Sequence, residues 1–295
     1  MRIAVTGTDG QVARSLVERS AMTACDVICI GRPMLDLSRP TTIESALASI
    51  AADVVVSAAA YTDVNKAETE GALADLVNGR APGLLAAHAY ARGIPLIQLS
   101  TDYVFDGSKS TPYTEDDPIA PINAYGRSKA AGERAVAAAH PHHVILRTSW
   151  IYSPFNRNFV RTMLALARKQ DEVRVVADQI GNPTAAADIA DGILEVARNL
   201  IEGRNEERAG IFHMAAAGTT SWAEFASAIF SASAERGGPT ARVAPIASAE
   251  YQTPARRPAN SRLDCARLSR VHGVSLLHWH SSLGPCVGRI LEQGT

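Results

Sequence analysis

Short apolar, often β-branched runs alternate with longer alanine-rich segments through the first two thirds of the chain. Parallel strands buried on both faces have this near-continuous apolar character, and the segments between them show the composition of connecting helices. Strands are predicted at Arg2–Thr6, 26–31, 53–58, 95–100, His143–Thr148 and Glu172–Val176. Helices are predicted at Gln11–Ser20, 41–50, 72–91, Ala124–Ala139, 158–169 and 187–200. The alternation predicts an α/β fold with a Rossmann-like, doubly wound parallel sheet.

The pattern changes beyond about residue 210. A strand-like run at 210–214 precedes a helix near 222–235 and a stretch rich in proline and arginine at 254–258. We therefore expect a core at residues 1–150, with further core elements at about 172–215. Residues 151–171 and 216–295 are expected to form a smaller C-terminal lobe.

Composition narrows the classes of partner. With 46% hydrophobic residues, a chain of 295 residues can bury a substantial core. Its 29 Lys and Arg nearly cancel 30 Asp and Glu, so no overall field attracts nucleic acid or an anionic membrane, and neither partner is expected. The four cysteines lack CxxC spacing and are interpreted as reduced structural thiols. With no secretory pattern at the start and no long apolar stretch, we expect a cytoplasmic protein.

A glycine-rich turn joins the first strand to the first helix. Thr6-Gly7-Thr8-Asp9-Gly10-Gln11-Val12-Ala13 has a TGxxGxxA arrangement. Glycines let the backbone approach a diphosphate closely, and the free N–H groups of the following helix favour an anion. A plain tight turn is the alternative, but the position in the first βα unit favours a dinucleotide site. The core would then be an NAD(P)-binding Rossmann domain, and the smaller lobe would bind substrate.

The residues after the second and third strands bear on cofactor choice. Arg32 stands where many NAD-preferring proteins have an acid, and an arginine there can meet the 2′-phosphate of NADPH. An ordinary surface cation is the alternative, so NADPH is favoured and NADH stays possible. Asp36 and Leu37 come next in the chain, at the position where the adenine of the cofactor would lie. The small residues Ala58, Ala59 and Ala60 would let a cofactor lie against the backbone, although they could equally pack in the core.

Tyr125 and Lys129 form a YxxxK pair, which places a phenol and an ammonium on one helix face. A nearby cation is expected to favour the phenolate and make Tyr125 a better proton donor in carbonyl reduction. Ser100 and Thr101 end the fourth strand at the edge where doubly wound sheets bind ligands, and Thr101 could donate to a substrate carbonyl. Simple capping by these two hydroxyls is the alternative.

These motifs resemble the dTDP-4-dehydrorhamnose reductase family of extended short-chain dehydrogenases/reductases. The resemblance covers nearly the whole chain, and its matching segments are 7–11, 58–62, 66–68, 100–107, 125–129 with Gly132 and Glu133, 147–152, 158–159, 178–184, 218–222 and 256–263. Ser57 and Asn65 depart from the family pattern, which has Asn and Asp there. The resemblance implies a cytoplasmic oxidoreductase that reduces a dTDP-linked keto-sugar with NADPH, in which Tyr125 gives the proton.

The motifs and the resemblance together predict roles for particular residues. Thr101, Tyr125 and Lys129 would be catalytic. The cofactor would be bordered by Gly7, Gly10, Gln11, Val12, Arg32, Asp36, Leu37, Ala58, Ala59, Ala60, Tyr61, Ser100, Tyr125 and Lys129. The substrate would be bordered by Thr101, Asp102, Tyr103, Trp150 and Arg257. An indole can pack on the apolar face of a sugar, with a plain core tryptophan as the alternative, and Arg257 suits a diphosphate. No catalytic metal is expected, a structural Mg²⁺ stays open, and a homodimer is one open assembly.

Three other functions stay open. The protein could reduce a different dTDP-keto-deoxysugar. It could be a nucleotide-sugar epimerase or dehydratase, since Asp102 follows Thr101 and a dehydratase uses an acid there. It could also be a non-catalytic, NADP-binding regulatory subunit of the methionine adenosyltransferase type, although intact Thr101, Tyr125 and Lys129 favour catalysis.

Overall fold

The structure, a computed structural model, describes residues 1–203 and 205–294. Apolar β-branched runs such as the three valines at 54–56 form the longer strands. In chain order the strands are β1 (Arg2–Thr6), β2 (Asp26–Ile30), β3 (Val54–Ser57), β4 (Leu96–Thr101), β5 (His143–Thr148), β6 (Ile151–Tyr152), β7 (Glu172–Val176), β8 (Ile180–Gly181), β9 (Thr184–Ala185), β10 (Gly210–His213), β11 (Thr220–Ser221) and β12 (Arg242–Ile246).

The helices connect these strands. They are α1 (Gln11–Ser20), α2 (Thr41–Ala48), α3 (Gly71–Ala74), α4 (Ala81–Ala91), α5 (Ala124–Ala139), α6 (Phe159–Ala167), α7 (Ala186–Ile201), α8 (Trp222–Ala234), α9 (Ala266–His272) and α10 (Trp279–Glu292). Within the described part of the chain, no helix has both the length and the apolar character needed to cross a membrane.

The main sheet confirms the predicted fold class. Its six strands are parallel and lie in the order β10-β5-β4-β3-β1-β2. One face is covered by an apolar cluster that includes residues of α1 and α7, and the other by a cluster that includes residues of α2, α4 and α5. Because helices cover both faces, the strands are buried on both sides, which explains their continuous apolar runs.

One strand lies elsewhere than expected. Glu172–Val176, which we expected among the core elements, pairs with β12 in a separate two-stranded sheet. Its buried residues Val173 and Val175 join an apolar cluster with residues of α6, α8 and α10. The alternation of exposed and buried residues along β7, with Glu172 and Arg174 exposed, is typical of a strand with one solvated face rather than of a central strand.

The helix predicted at 72–91 is interrupted. A π-helical segment, Asp75–Arg80, separates α3 from α4. Pro82 has no N–H to donate to the carbonyl of Asn78, as a regular α-helix would require. That carbonyl lies against α5, where a Cβ on Gly132 would be 2.0 Å from its oxygen. The interruption therefore lets the segment approach α5 closely.

Candidate active site

The residues singled out in the sequence meet at the carboxyl edge of the main sheet. The glycine turn follows β1, the alanine run follows β3, and Thr101 and Thr148 end β4 and β5 as register partners. Since all six strands are parallel, their carboxyl ends share one edge, and this is where doubly wound sheets bind ligands.

The glycine turn forms a cradle between β1 and β3. Gly7 has φ +91°, in the left-handed region that favours glycine, and an added Cβ would lie 3.3 Å from the Cβ of Ala59. The Thr6 hydroxyl accepts hydrogen bonds from the backbone N–H groups of Ala58 and Ala59, both at 3.0 Å. No side chain caps the first turn of α1, which begins at Gln11. This geometry fits the diphosphate of a dinucleotide.

A loop from the C-terminal half of the chain closes over this turn. The Ser153 hydroxyl donates to Oε1 of Gln11 at 2.7 Å, and the Asn156 amide donates to the carbonyl of Asp9. The side chains of Val12 and Leu37 lie in the hydrophobic core, so these two residues could contact a cofactor only through their backbone.

The end of β2 leads to a polar cluster around Asp36. Asp36 accepts hydrogen bonds from the backbone and hydroxyl of Ser38, at 3.0 and 2.6 Å. These bonds lower the pKa of Asp36, and the charges of Arg32 and Arg39 act in the same direction. Arg32 is exposed, so its guanidinium is accessible to an anionic group.

The start of α5 is held by hydrogen bonds and by a close backbone contact. Asn123 caps the helix by accepting from the N–H of Gly126 at 2.7 Å, and its amide donates to the carbonyl of Arg256 at 2.8 Å. A Cβ on Gly126 would lie only 2.1 Å from the carbonyl oxygen of Tyr103. The helix can therefore approach the segment after β4 closely, which brings Tyr125 next to Thr101.

Thr101, Tyr103 and Tyr125 form one compact group. The Thr101 hydroxyl donates to Oδ1 of Asp102 at 2.9 Å and accepts from the N–H of Tyr103 at 3.2 Å. The rings of Tyr103 and Tyr125 meet edge to face, with centroids 6.0 Å apart. Burial raises the pKa of Tyr125 to about 12, the charge of Asp102 adds to the rise, and a hydrogen bond with Thr101 opposes it.

Lys129 lies one turn after Tyr125 on the same face of α5 and is buried. Its ammonium donates to the carbonyl of Leu99 at 2.6 Å, and only 4% of the residue is exposed. Burial lowers the pKa of Lys129 to about 8, against the opposing effect of Glu133. The pKa of Tyr125 is raised and not lowered as expected, because burial and the charge of Asp102 outweigh the hydrogen bond with Thr101.

Sequence reasoning missed a buried ion pair behind Lys129. Arg147 donates to both carboxylate oxygens of Glu133, at 3.0 and 2.7 Å, and both side chains are almost completely buried. The Ser100 hydroxyl also donates to Glu133, so it is committed to this carboxylate. Lys129 and Glu133, one turn apart on α5, thus hold the two residues of β4 that precede Thr101.

Asp102, Tyr103 and Arg257 contact this group and one another. Asp102 is 3% exposed, and burial raises its pKa to about 7, against the opposing effect of hydrogen bonds with Ser261 and Thr101. Burial and the Asp102 charge raise the pKa of Tyr103, and Arg257 opposes that rise. The Arg257 guanidinium hydrogen-bonds Tyr103 and donates to Oδ1 of Asn65 at 3.4 Å, which brings the 253–257 segment to the site.

Asn78 is a second feature that sequence reasoning missed. Its side chain accepts from the N–H of Tyr61 at 2.8 Å and donates to the Tyr61 carbonyl at 2.9 Å and to the Ser128 hydroxyl at 3.0 Å. The buried amide therefore ties the loop after β3 to the helix that carries Tyr125. The Tyr61 hydroxyl donates to Glu70, so its polar end faces away from this link.

Trp150 follows β5 by two residues and is half-buried. Its indole stacks on that of Trp222, with centroids 3.5 Å apart and planes within 7°. In the described part of the chain, no three His, Cys, Asp or Glu side chains are arranged to hold a metal ion.

Comparisons with known proteins place the chain in a family. The family model described as "RmlD substrate binding domain" matches residues 1–291. A dTDP-4-dehydrorhamnose reductase of Sinorhizobium fredii is 47% identical and covers 100% of this chain and 99% of its own. A probable dTDP-4,6-dihydroxy-2-methyloxan-3-one 4-ketoreductase of Streptomyces antibioticus is 42% identical, covering 96% of this chain and 93% of its own.

A solved structure shares the fold throughout. The dTDP-4-dehydrorhamnose reductase of Bacillus anthracis, in complex with NADP, superposes with a TM-score of 0.88 at 33% identity. The similarity covers 97% of this chain and 98% of that one.

Proposed function

This chain belongs to the dTDP-4-dehydrorhamnose reductase family of oxidoreductases, and we propose that it reduces the 4-keto group of dTDP-4-dehydro-6-deoxy-L-mannose to give dTDP-L-rhamnose. The observation that carries the proposal is the grouping of Thr101, Tyr125 and Lys129 beside the glycine cradle. A proton donor and a dinucleotide site at one sheet edge are the two requirements of carbonyl reduction by a nicotinamide.

NADPH is the proposed cofactor, with NADH as a possible substitute. The cradle at Gly7 and Ala59 suits the diphosphate, and exposed Arg32 suits a 2′-phosphate. The complex of the Bacillus anthracis relative with NADP supports this choice. When bound, the reduced nicotinamide would supply the hydride that goes to C4 of the sugar.

Tyr125 is the proposed proton donor. Burial keeps its phenol protonated at neutral pH, so it holds a proton for the oxygen that becomes negative as C4 is reduced. Thr101 hydrogen-bonds this phenol, and its hydroxyl, which donates to Asp102 in this structure, would turn to donate to the same substrate oxygen. The Lys129 ammonium, fixed on Leu99, would stabilise the phenolate left after proton transfer and contact the nicotinamide ribose.

The substrate would meet polar and aromatic groups from both halves of the chain. Asp102 would offer its carboxyl group to a sugar hydroxyl, and Arg257 would offer a cation to the diphosphate. Tyr103 and Trp150 would border the sugar. We accordingly propose residues 1–150, with elements of 172–215, as the cofactor domain and 151–171 with 216–295 as the substrate lobe. Strand β7 belongs with that lobe by its pairing.

A different dTDP-keto-deoxysugar is the second candidate substrate, because the Streptomyces antibioticus relative carries the name of a 4-ketoreductase for such a sugar. The same triad would serve both reactions. The identity of the sugar would depend on the substrate lobe.

NADPH oxidation, followed by absorbance, tests the proposal with enzymatically prepared dTDP-4-dehydro-6-deoxy-L-mannose and with NADH in parallel. Stoichiometric, substrate-dependent oxidation with dTDP-L-rhamnose as product is expected. Oxidation only with another dTDP-keto-sugar would favour the second candidate. Product formation without net cofactor oxidation would indicate an epimerase or dehydratase, and cofactor binding without turnover on any sugar would indicate a regulatory subunit.

A further inference from the structure

Trp150 has a strained backbone at the ligand edge of the sheet. Its φ is +47°, in the left-handed region that residues with a Cβ rarely adopt. It lies two residues beyond Thr148, the register partner of Thr101. Strain of this kind persists only where the surroundings enforce it, and it concentrates at ligand-contacting positions. The contacts that enforce it are therefore of functional interest.

Trp222 supports one side of the indole. The two indoles stack almost in parallel with their centroids 3.5 Å apart, and the centroid of Trp222 lies 4.5 Å from that of the Phe159 ring. Trp222 is the first residue of α8, whose start is fixed by reciprocal hydrogen bonds between Ser221 and Glu224. Trp150 thus rests on a ring that is anchored to a capped helix rather than to a loop.

Gly181 leaves the space that the indole fills. A Cβ at this position would lie 2.5 Å from Cε2 of Trp150 and 2.7 Å from its Nε1, far inside van der Waals contact. Gly181 lies in β8 and pairs with Thr220 of β11, two residues before Trp222. Gly181 therefore lies in the small antiparallel sheet whose strand β11 leads directly into Trp222.

The backbone of Trp150 is held by the same region. Its carbonyl accepts from the N–H of Thr184 at 3.1 Å, and the Ser149 hydroxyl donates to the carbonyl of Asn182 at 2.9 Å. The Asn182 amide in turn donates to the Gly218 carbonyl at 2.7 Å. Backbone and indole are thus both fixed by residues 181–184 and the segment leading to Trp222.

We propose that Trp222 and Gly181 are positioning residues that hold the Trp150 indole as a rigid wall for the sugar of the nucleotide-sugar substrate. This inference rests on the proposed function, because it assigns the wall to the substrate and not to the cofactor. A rigid aromatic surface binds a sugar ring without an ordering cost on binding. Loss of either support should weaken sugar binding and leave NADPH binding unchanged.

The test compares Trp222→Ala, Trp222→Phe and Gly181→Ala with wild type and with Trp279→Phe. Trp279 is a buried tryptophan of the same lobe and serves as the matched control. For Trp222→Ala we expect the KM for the dTDP-keto-sugar to rise about tenfold, the effect of losing one good aromatic contact, with the KM for NADPH unchanged. Trp222→Phe, which keeps a ring, should recover most of this loss, and Gly181→Ala should behave like Trp222→Ala.

Circular dichroism provides a readout of the stack itself. Two stacked indoles give paired bands of opposite sign, which Trp222→Ala should abolish and Trp279→Phe should keep. This inference alone would be overturned by one combination of results. The wild type would be active, and Trp222→Ala would lose the paired bands but keep the wild-type KM for the sugar. A wild-type protein that oxidises no NADPH with the sugar would overturn the proposed function and this inference with it.

Discussion

At the scale of single residues, the titratable groups of the site are governed mainly by burial. Burial holds the pKa of Tyr125 at about 12, so the phenol is protonated throughout the neutral range. It lowers the pKa of Lys129 to about 8, much closer to neutral pH than that of an ordinary lysine. The proposed donor, Tyr125, is thus protonated at neutral pH, whereas the charge of Lys129 depends on pH.

The pH dependence of kcat/KM should report Lys129. Its cation is present below a pH of about 8 and is lost as the pH rises through that value, so kcat/KM should fall on the alkaline side. The negative charge of Glu133, which Arg147 partly balances, raises this pKa. Glu133→Gln should therefore move the falling limb to lower pH. A wild-type profile that falls only near the ordinary lysine pKa would contradict this assignment.

Arg32 should set the preference between the two cofactors. Arg32→Ala should reduce kcat/KM with NADPH by about tenfold or more, the usual scale for losing a charge-assisted contact to phosphate, and leave NADH almost unaffected. Arg174→Ala, which removes an exposed arginine in β7, is the matched control. Unchanged kcat/KM with both cofactors, as in the control, would assign Arg32 to the ordinary surface cations.

The site residues that formed local patterns could be predicted from the sequence. Tyr125 and Lys129 are one helical turn apart, and Thr101 ends a buried strand, so spacing alone brings each to the correct edge. The links from Glu133 to Arg147 and from Asn78 to Tyr61 join different elements. Nothing in the local pattern specifies such partners, because they depend on how the helices dock.

At the scale of elements, α5 is the part of the fold that assembles the site. Tyr125, Lys129 and Glu133 recur at intervals of four and occupy one face of the helix. The helix is clamped by β4 through Lys129 and Glu133, and by the π-helical segment Asp75–Arg80 through Asn78. The position of α5 would therefore determine the distance between Tyr125, the proposed proton donor, and the keto group of the substrate.

Gly132 tests how closely α5 must pack. Gly132→Ala would place a Cβ 2.0 Å from the carbonyl oxygen of Asn78, so the helix or the π-helical segment must shift. We expect a loss of about 1–3 kcal/mol in stability, typical of overpacking, and a fall in kcat larger than the fall in NADPH affinity. Gly71→Ala, which adds a Cβ with no heavy atom within 4 Å, should leave both unchanged. Unchanged kcat and thermal midpoint in Gly132→Ala would contradict this picture of α5.

The sequence predicted best the strands that are apolar on both faces and the helices that carry one apolar stripe. Strands β1 and β5 and helices α1 and α5 have the predicted bounds, since their patterns are uninterrupted. The C-terminal α9, α10 and β12 were not predicted. Pro285 lies inside α10 and Pro245 inside β12, and proline normally argues against both structures.

At the scale of the whole molecule, the two parts of the chain meet over the glycine turn. Ser153 and Asn156 bond Gln11 and Asp9, and the Arg289 guanidinium binds both carboxylate oxygens of Glu18. A ligand at the cradle would therefore contact a region that both parts help to hold.

NADPH should accordingly stabilise the whole fold. At a concentration one hundred times its Kd, a ligand that binds only the native state adds about 2.7 kcal/mol, which should raise the thermal midpoint by several degrees. Differential scanning calorimetry checks this, and Tyr125→Phe should show the same rise because its phenol is not needed for cofactor binding. A midpoint independent of NADPH would contradict the assignment of the cradle.

The central claim is that Tyr125 supplies the proton in a reduction at this edge of the sheet. The most direct test is turnover of the dTDP-keto-sugar by Tyr125→Phe, with NADPH affinity measured on the same sample and the exposed Tyr90→Phe as control. We predict a kcat lower by about 10² or more, typical of losing a general acid, with unchanged NADPH affinity. Turnover close to wild type in Tyr125→Phe would contradict the claim.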